Sequence, residues 1–461
     1  MNSTESTPTT DLPTADTLHR AVKMALDTGE VKTVEEAYDL FQTYRLGVAL
    51  GPEVGSSAAH QAALLTIVNT GRRAMLGGVF IAGKTDVPLL VTVPGATSLK
   101  EAIHFLGGQV VEKLPASLPT LTLGSVNEVG GGHACALAVT FRDWRGGVIP
   151  VDEQQELDTE EAIIPAAILA GALGVSEVFQ HLRGNPMAGR REVGMSLWSP
   201  DSIEWQSAPP GPLNIVLPSS LWLVGLGHLG QAYLWVLGLL PYKKPDDVML
   251  VLQDFDTLQK SNDSTSLLTN AGLIGSLKTR AMADWAKSRG FRTRLVERRF
   301  PGGIQIANDE PRVALGGVDN PQARAAYEDA GFDWVVEAGL GNGPVEYLAI
   351  RLHTFPASTT ARSKWGSSSS NSTSTVRDKP AYEQLSVGGM EECGLVQLAS
   401  RSVGVPFVGA VTATLVIAEV LRQLNGGSSI EIIDMSLRDV ALRDVVPSSN
   451  NLANFNPGYT T

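Results

Sequence analysis

Apolar residues along the chain switch between helical spacing and short strand-like runs, the pattern of an α/β protein. Val34–Tyr44 (VEEAYDLFQTY) carries its apolar positions three and four apart, so residues 17–51 are predicted largely helical. Residues 58–73 continue as a second helix. Strand-like stretches follow at 78–82, 89–92 and 121–124, with an alternating run at 136–141. The most apolar segment, residues 221–240, has a length that would cross a membrane. However, Gly225, Gly227 and Gly230 at GxGxxG spacing, between Pro218 and Pro241, predict a strand, a tight turn and a helix instead. No membrane association is expected.

Such a turn aims backbone N–H groups and a helix start at a phosphate. By itself GLGHLG fits any dinucleotide-binding fold. The next predicted strand, 248–253, ends in Asp254-Phe255-Asp256, which sets a carboxylate where a ribose hydroxyl would lie in a doubly wound sheet. Ser261-Asn262, Ile274-Gly275 with Lys278, and Val318-Asp319-Asn320 come next, in that order.

This ordered set, over roughly residues 215–440, resembles the ThiF/MoeB/ubiquitin-activating (E1-like) adenylyltransferase superfamily. The family pattern of GxGGxG, DxD, SNLxRQ, (V/I)GxxK and a late Asp-Asn pair appears as GLGHLG, DFD, SNDSTS, IGSLK and VDN. The resemblance implies a Rossmann-like doubly wound sheet. It also implies ATP-dependent adenylation of the C-terminal glycine carboxylate of a ubiquitin-like or sulfur-carrier protein. Gly225, Gly227, His228, Gly230, Asp254, Asp256, Asn262, Lys278 and Asn320 would then surround the nucleotide, Asp254 on the ribose and Asp256 further out. Asp319 would orient a catalytic Mg²⁺. Two departures stand out: His228 replaces a glycine, and Thr265 occupies the arginine position. A β-carbon at 228 would crowd the phosphates, while a protonated imidazole would donate to them. Arg72 and Arg73 are candidates to replace the arginine if two halves face each other, or else they form an ordinary helix end.

A weak repeat bears on those halves. Residues 167–184 align without gaps with 409–426, sharing Leu173/Leu415, Glu177/Glu419, Val178/Val420 and Leu182/Leu424. Either similar composition produces this match, or the chain is an intramolecular pseudo-dimer whose first half, lacking GxGxxG, is degenerate; a homodimer is the other arrangement. The expected organisation is a disordered tail at 1–16, an N-terminal α/β domain at 17–194 and a Ser/Pro/Gly-rich junction at 195–218. An adenylation domain at 219–445 and a tail at 446–461 follow. Residues 357–380, centred on SSSSNSTST, form a predicted mobile loop; the resembled family has there the crossover loop under which the substrate tail threads.

Across 461 residues, a 43% hydrophobic share and a mean hydropathy of +0.04 describe a chain with ample core. A net charge of −12 and a pI near 5.1 argue against a nucleic-acid partner. With only Cys135 and Cys393, neither a disulfide framework nor a four-cysteine zinc site is expected, and two thiols suit a cytoplasmic location. Cys135, in HACALAV, reads as a buried small hydrophobe. Cys393 precedes a helix and is a candidate nucleophile toward an acyl-adenylate, opposed by its neighbours Glu391 and Glu392. Transfer to Cys393, to a conjugating enzyme or into sulfur chemistry all stay open. So do two other classes: an NAD-dependent oxidoreductase, whose spacing GLGHLG satisfies, and a non-catalytic scaffold, suggested by Thr265 and His228.

Overall fold

A computed structural model describes residues 12–115, 117–126, 135–153, 161–301, 303–366, 375–449 and 457–460. The first sheet is built from β1 (Leu46–Leu50), β2 (Val79–Ala82), β3 (Gln109–Val111), β4 (Thr120–Leu123), β5 (Ala136–Arg142), β6 (Arg145–Pro150) and β7 (Val193–Ser196). Its order is β3-β2-β1-β4-β5-β6-β7, parallel from β3 to β5 and antiparallel beyond. A short strand, β8 (Leu217–Pro218), pairs with β17 (Tyr459–Thr460). The second sheet contains β9 (Ser220–Val224), β10 (Met249–Gln253), β11 (Arg292–Val296), β12 (Val313–Gly316), β13 (Trp334–Leu340), β14 (Ala349–Phe355), β15 (Ile430–Ser436) and β16 (Asp439–Pro447). Its order, β11-β10-β9-β12-β13-β14-β15-β16, repeats the first and adds one edge strand. The chain is therefore an intramolecular pair of like α/β halves, each with the crossover order of a doubly wound sheet.

Four helices join the halves: Ala58–Ala74 and Ile164–Leu182 from the first, His228–Leu239 and Pro406–Leu424 from the second. The two repeat helices pack directly on each other. Both Ile164–Leu182 and Pro406–Leu424 are long and apolar enough to span a membrane, but 94% and 89% of their apolar windows are buried inside the protein. Within the first half, small residues let the backbones of Ala58–Ala74 and Ile164–Leu182 approach. A β-carbon on Gly171 would lie 2.7 Å from the Ala63 carbonyl oxygen, so packing there is closed to any larger residue.

Several sequence expectations are revised. The region predicted largely helical at 17–51 contains helices Val22–Thr28 and Val34–Gln42, then the central strand β1. LGVAL is a short continuous apolar run, which periodicity does not assign. Residues 89–92 form no strand; Gln61 accepts from Leu90 N at 2.7 Å and donates to the preceding Pro88 O at 2.9 Å. Arg72 and Arg73 do not reach the glycine turn. Arg72 pairs with Asp263 at 2.7 Å, while the buried Arg73 donates to the carbonyls of Asp263, Leu267 and Thr269 at 2.8, 3.2 and 2.8 Å. They are staples between halves. Of the predicted loop 357–380, residues 367–374 lie outside the described residues, and the flanks form short helices at Ala361–Trp365 and Thr375–Asp378. Residues 1–11 of the expected tail also lie outside, whereas the Asp16 carbonyl accepts from Ser261 N at 2.8 Å.

Truncating Arg73 leaves several buried carbonyls without a donor, so Arg73→Ala is expected to lower the unfolding free energy by about 3 kcal/mol in urea titration. Among the histidines that give the fold a pH dependence are two in the first half. His60 is buried edge-on to Phe141 at 4.9 Å, and burial pushes its pKa down to about 4. His19, near Asp263, is likewise lowered by burial to about 4. Both stay neutral in the folded state yet take a proton near pH 6.5 when unfolded. Stability is thus complete above pH 6.5 and falls as pH drops toward 4, by up to about 1.4 kcal/mol per pH unit for each histidine. Denaturant titrations at pH 7 and pH 5 check this, and His60→Phe should show a smaller difference between them.

Candidate functional site

β9 delivers the chain into Gly225, whose φ of +89° favours glycine, and the turn passes directly into the helix His228–Leu239. Gly230 lets the helix close on the turn: a β-carbon there would sit 2.0 Å from the Gly225 oxygen. Gly227 is the N-cap and offers no side-chain cap, so the first-turn N–H groups lack a capping partner. They border a cavity of about 870 Å³ at the C-terminal ends of β9, β10 and β12. This is the crevice where doubly wound sheets bind ligands.

The aspartates at the end of β10 hold this turn. Asp254 accepts from Leu226 N at 2.7 Å with one oxygen, and from Phe255 N and Asp256 N at 2.8 and 2.9 Å with the other. Lys278 opens the helix Lys278–Ser288, which also lacks a capping side chain, and its ammonium lies 2.9 Å from Asp256 and 3.8 Å from Asp254. Two carboxylates thereby offset a cation placed against the positive end of a helix dipole. Asn262 lines the same wall, its Oδ1 accepting from Gln259 N at 2.8 Å. Across the cavity, exposed Asp319 has its carboxylate on the lip, and Asn320 caps the helix Pro321–Ala325 by accepting from Ala323 N at 3.1 Å. Gly225, Gly227, His228, Asp254, Asp256, Asn262, Lys278, Asp319 and Asn320 thus face one space, while Gly230 lies beneath the turn.

His228 departs from the expectation of a protonated phosphate donor. Burial pushes its pKa down to about 4, opposed by a hydrogen bond to the Pro406 backbone, so the ring is neutral near pH 7. It is turned toward the Pro406–Leu424 helix, where a β-carbon on Gly409 would lie 2.2 Å from Nε2. Its imidazole thus fills a notch made by a glycine of the second repeat helix.

Sequence reasoning missed the arginines that line the cavity, Arg20 and Arg401 among them. Arg20 precedes the helix Val22–Thr28. Its backbone N donates to Ser264 Oγ at 3.1 Å and its guanidinium to Ser402 O at 3.0 Å, within electrostatic reach of Asp319. Arg401 pairs with Asp16 at 2.8 Å. Both come from segments outside every motif, and no local spacing announces them. Arg298 and Arg299 add cations to the rim, with the Arg299 guanidinium 4.3 Å from the Phe255 ring centre.

Cys393 is not brought into this cavity. It is exposed, in the first turn of the helix Glu392–Ser400, with Gln397 Nε2 3.6 Å from Sγ. That helix runs toward Arg401–Val405 on the cavity wall, about 12 Å along its axis. A buried cluster fastens it: Lys23 Nζ lies 2.5 Å from Asp27 and 3.5 Å from Ala399 O, and the Tyr382 hydroxyl donates to Asp27 at 2.6 Å. Cys135 is buried, its thiol pushed up to about 12 by burial and Glu177. Among the described residues no group of three or more His, Cys, Asp and Glu side chains forms a metal cluster.

Residues 45–197 match the BilD N-terminal domain and residues 217–427 the BilD C-terminal domain. A bacterial E1-like protein BilD from Collimonas sp. (strain OK412) is 44% identical over 446 residues, covering 96% of each chain. Among solved structures, E. coli MccB is 11% identical, covering 68% of this chain and 93% of its own, with a TM-score of 0.35. PaaA is 15% identical over 50% of this chain and 72% of its own, with a TM-score of 0.33. Similarities at that level add nothing to the topology above. The two domain matches and the full-length relative do: this chain belongs to the BilD family of bacterial E1-like proteins.

Proposed function

We propose that this protein adenylates the C-terminal carboxylate of a small ubiquitin-like or sulfur-carrier protein, using ATP in the cavity of about 870 Å³. The observation that carries this reading is the convergence of an uncapped glycine turn, a lysine held by two aspartates, an acidic lip and two arginines from other segments on one space. In the reaction a carboxylate oxygen attacks the α-phosphorus, the bond from that phosphorus to the α,β-bridging oxygen breaks, and an acyl-adenylate and pyrophosphate form. Both reactants are anions, so the protein's task is to hold them in line and neutralise charge. The first-turn N–H groups after Gly227 and the Lys278 ammonium do so from the sheet side. Arg20, with Arg401 beside it, supplies the planar donors that Thr265 lacks. Asp254 would accept from a ribose hydroxyl, with Asp256 further out against Lys278. Asp319 would hold Mg²⁺, which when bound would supply charge neutralisation at the departing pyrophosphate.

The tail of the partner would enter between the Arg401–Val405 wall and Asn342. Its mixed anhydride would then be open to a thiolate. Cys393 is an exposed thiol on the helix that ends at this wall, and transfer to it would release AMP and form a thioester.

Three variants test the reading by pyrophosphate exchange. Lys278→Ala should lose at least about 100-fold of exchange activity while remaining folded, and Arg20→Ala about 10- to 100-fold. Full exchange in Lys278→Ala would remove that residue from the mechanism. Cys393→Ala should retain exchange yet form no thiol-sensitive adduct when incubated with ATP and the carrier protein. An adduct that persists in this variant would place the acceptor elsewhere.

A further inference from the structure

The paired registers of the two sheets let the halves be compared residue by residue. β1 pairs with β4 at Leu50 and Leu123, as β9 pairs with β12 at Val224 and Gly316. Gly51 and Gly124 therefore correspond to Gly225 and Gly317. The contact survives in both: a β-carbon on Gly225 would meet the Gly317 carbonyl at 3.0 Å, and one on Gly51 would meet the Gly124 carbonyl carbon at 2.8 Å. The first half has thus kept the backbone crossing that in the second half opens onto the cavity.

Beyond the crossing the two halves diverge. Gly227 stands two residues after Gly225, and a β-carbon there would meet nothing within 4 Å. Two residues after Gly51 comes Glu53. Its carboxylate folds back over the crossing, accepting from Ser125 N at 2.9 Å. The same oxygen lies 2.5 Å from where a Gly51 β-carbon would be and 2.3 Å from that of Gly124. Burial pushes this carboxyl's pKa up, but hydrogen bonds from Ser125 and its own backbone outweigh that and hold it below the usual value. The ribose position has changed too. Counting along β2 and β10 from their pairing with β1 and β9, Lys84 stands where the second half has Asp254.

We infer that the first half contains an anion site, homologous in position to the phosphate end of the cavity, that is filled by the protein's own Glu53 carboxylate. The internal carboxylate occupies, as an anion, the space over the crossing and accepts from Ser125 N at the end of β4. The loop from Gly51 to the helix at Ala58, four residues longer than the one from Gly225 to His228, gives Glu53 the length to fold back. With lysine at the ribose position, the ligand class that fits once Glu53 is removed is a small oxyanion, not a nucleotide.

Glu53→Ala in the full chain tests this with inorganic phosphate as the probe. Thermal unfolding is followed in phosphate and in chloride at equal ionic strength, so that screening cancels. Any phosphate bound in the second half contributes equally to both proteins. The midpoint of Glu53→Ala should rise in phosphate by a few degrees more than that of the unaltered protein, through mass action on the vacated site. If the variant is poorly folded in chloride, phosphate should restore it. Glu53→Gln, whose amide fills the same space and accepts from Ser125 N, should show no extra phosphate effect. An equal phosphate response in Glu53→Ala and the unaltered protein, or a Glu53→Gln response as large as that of Glu53→Ala, overturns the inference. This outcome is independent of whether the second half adenylates.

Discussion

The close approach of the core helices of the two halves is the constraint on which the cleft depends. Helices Ile164–Leu182 and Pro406–Leu424 pack on each other and on the first helix of each sheet, so moving one half shifts both walls of the site. The Pro406–Leu424 helix also receives His228 against Gly409, which fixes the start of the helix that borders the cavity. Arg73 then binds the 263–269 segment to the first half from below. The first half therefore acts as a buttress, and its neutral buried histidines and self-filled crossing suit that role.

The motif half was readable because its chemistry is local. The glycine turn, the two aspartates after β10, Lys278 and the Asp319-Asn320 pair each follow a strand or open a helix within a few residues. The doubly wound sheet brings those ends to one edge without further information. The repeat of residues 167–184 at 409–426 was also a real signal, because both segments are the buried core helix of like halves. By contrast β1 escaped notice: a strand buried on both faces has no alternation to detect. The stretch at 89–92 misled for the opposite reason. Its composition is that of a strand, but the Gln61 side chain accepts from Leu90 N.

The arginines show where local reading ends. Thr265 announced a missing donor, and Arg72 and Arg73 were candidates to supply it if the two halves faced each other, with an ordinary helix end as the alternative. They are consumed by Asp263 and backbone carbonyls. Arg20 reaches the cavity through a hydrogen bond to Ser402, a contact separated by 382 residues that no spacing rule encodes. Burial decided His228 in the same way, since the sequence cannot say that its ring would be desolvated. Cys393 lies outside the cavity, near the start of a helix whose far end meets the Lys23, Asp27 and Tyr382 cluster through Ala399 O.

Two like halves with one open crevice and one self-filled crossing make a definite claim about stoichiometry, and calorimetric titration of the full chain tests it most directly. The account predicts that ATP with Mg²⁺ binds at one site per chain and that NAD does not compete for it. Two equivalent ATP sites, or displacement of ATP by NAD at similar concentration, would contradict it.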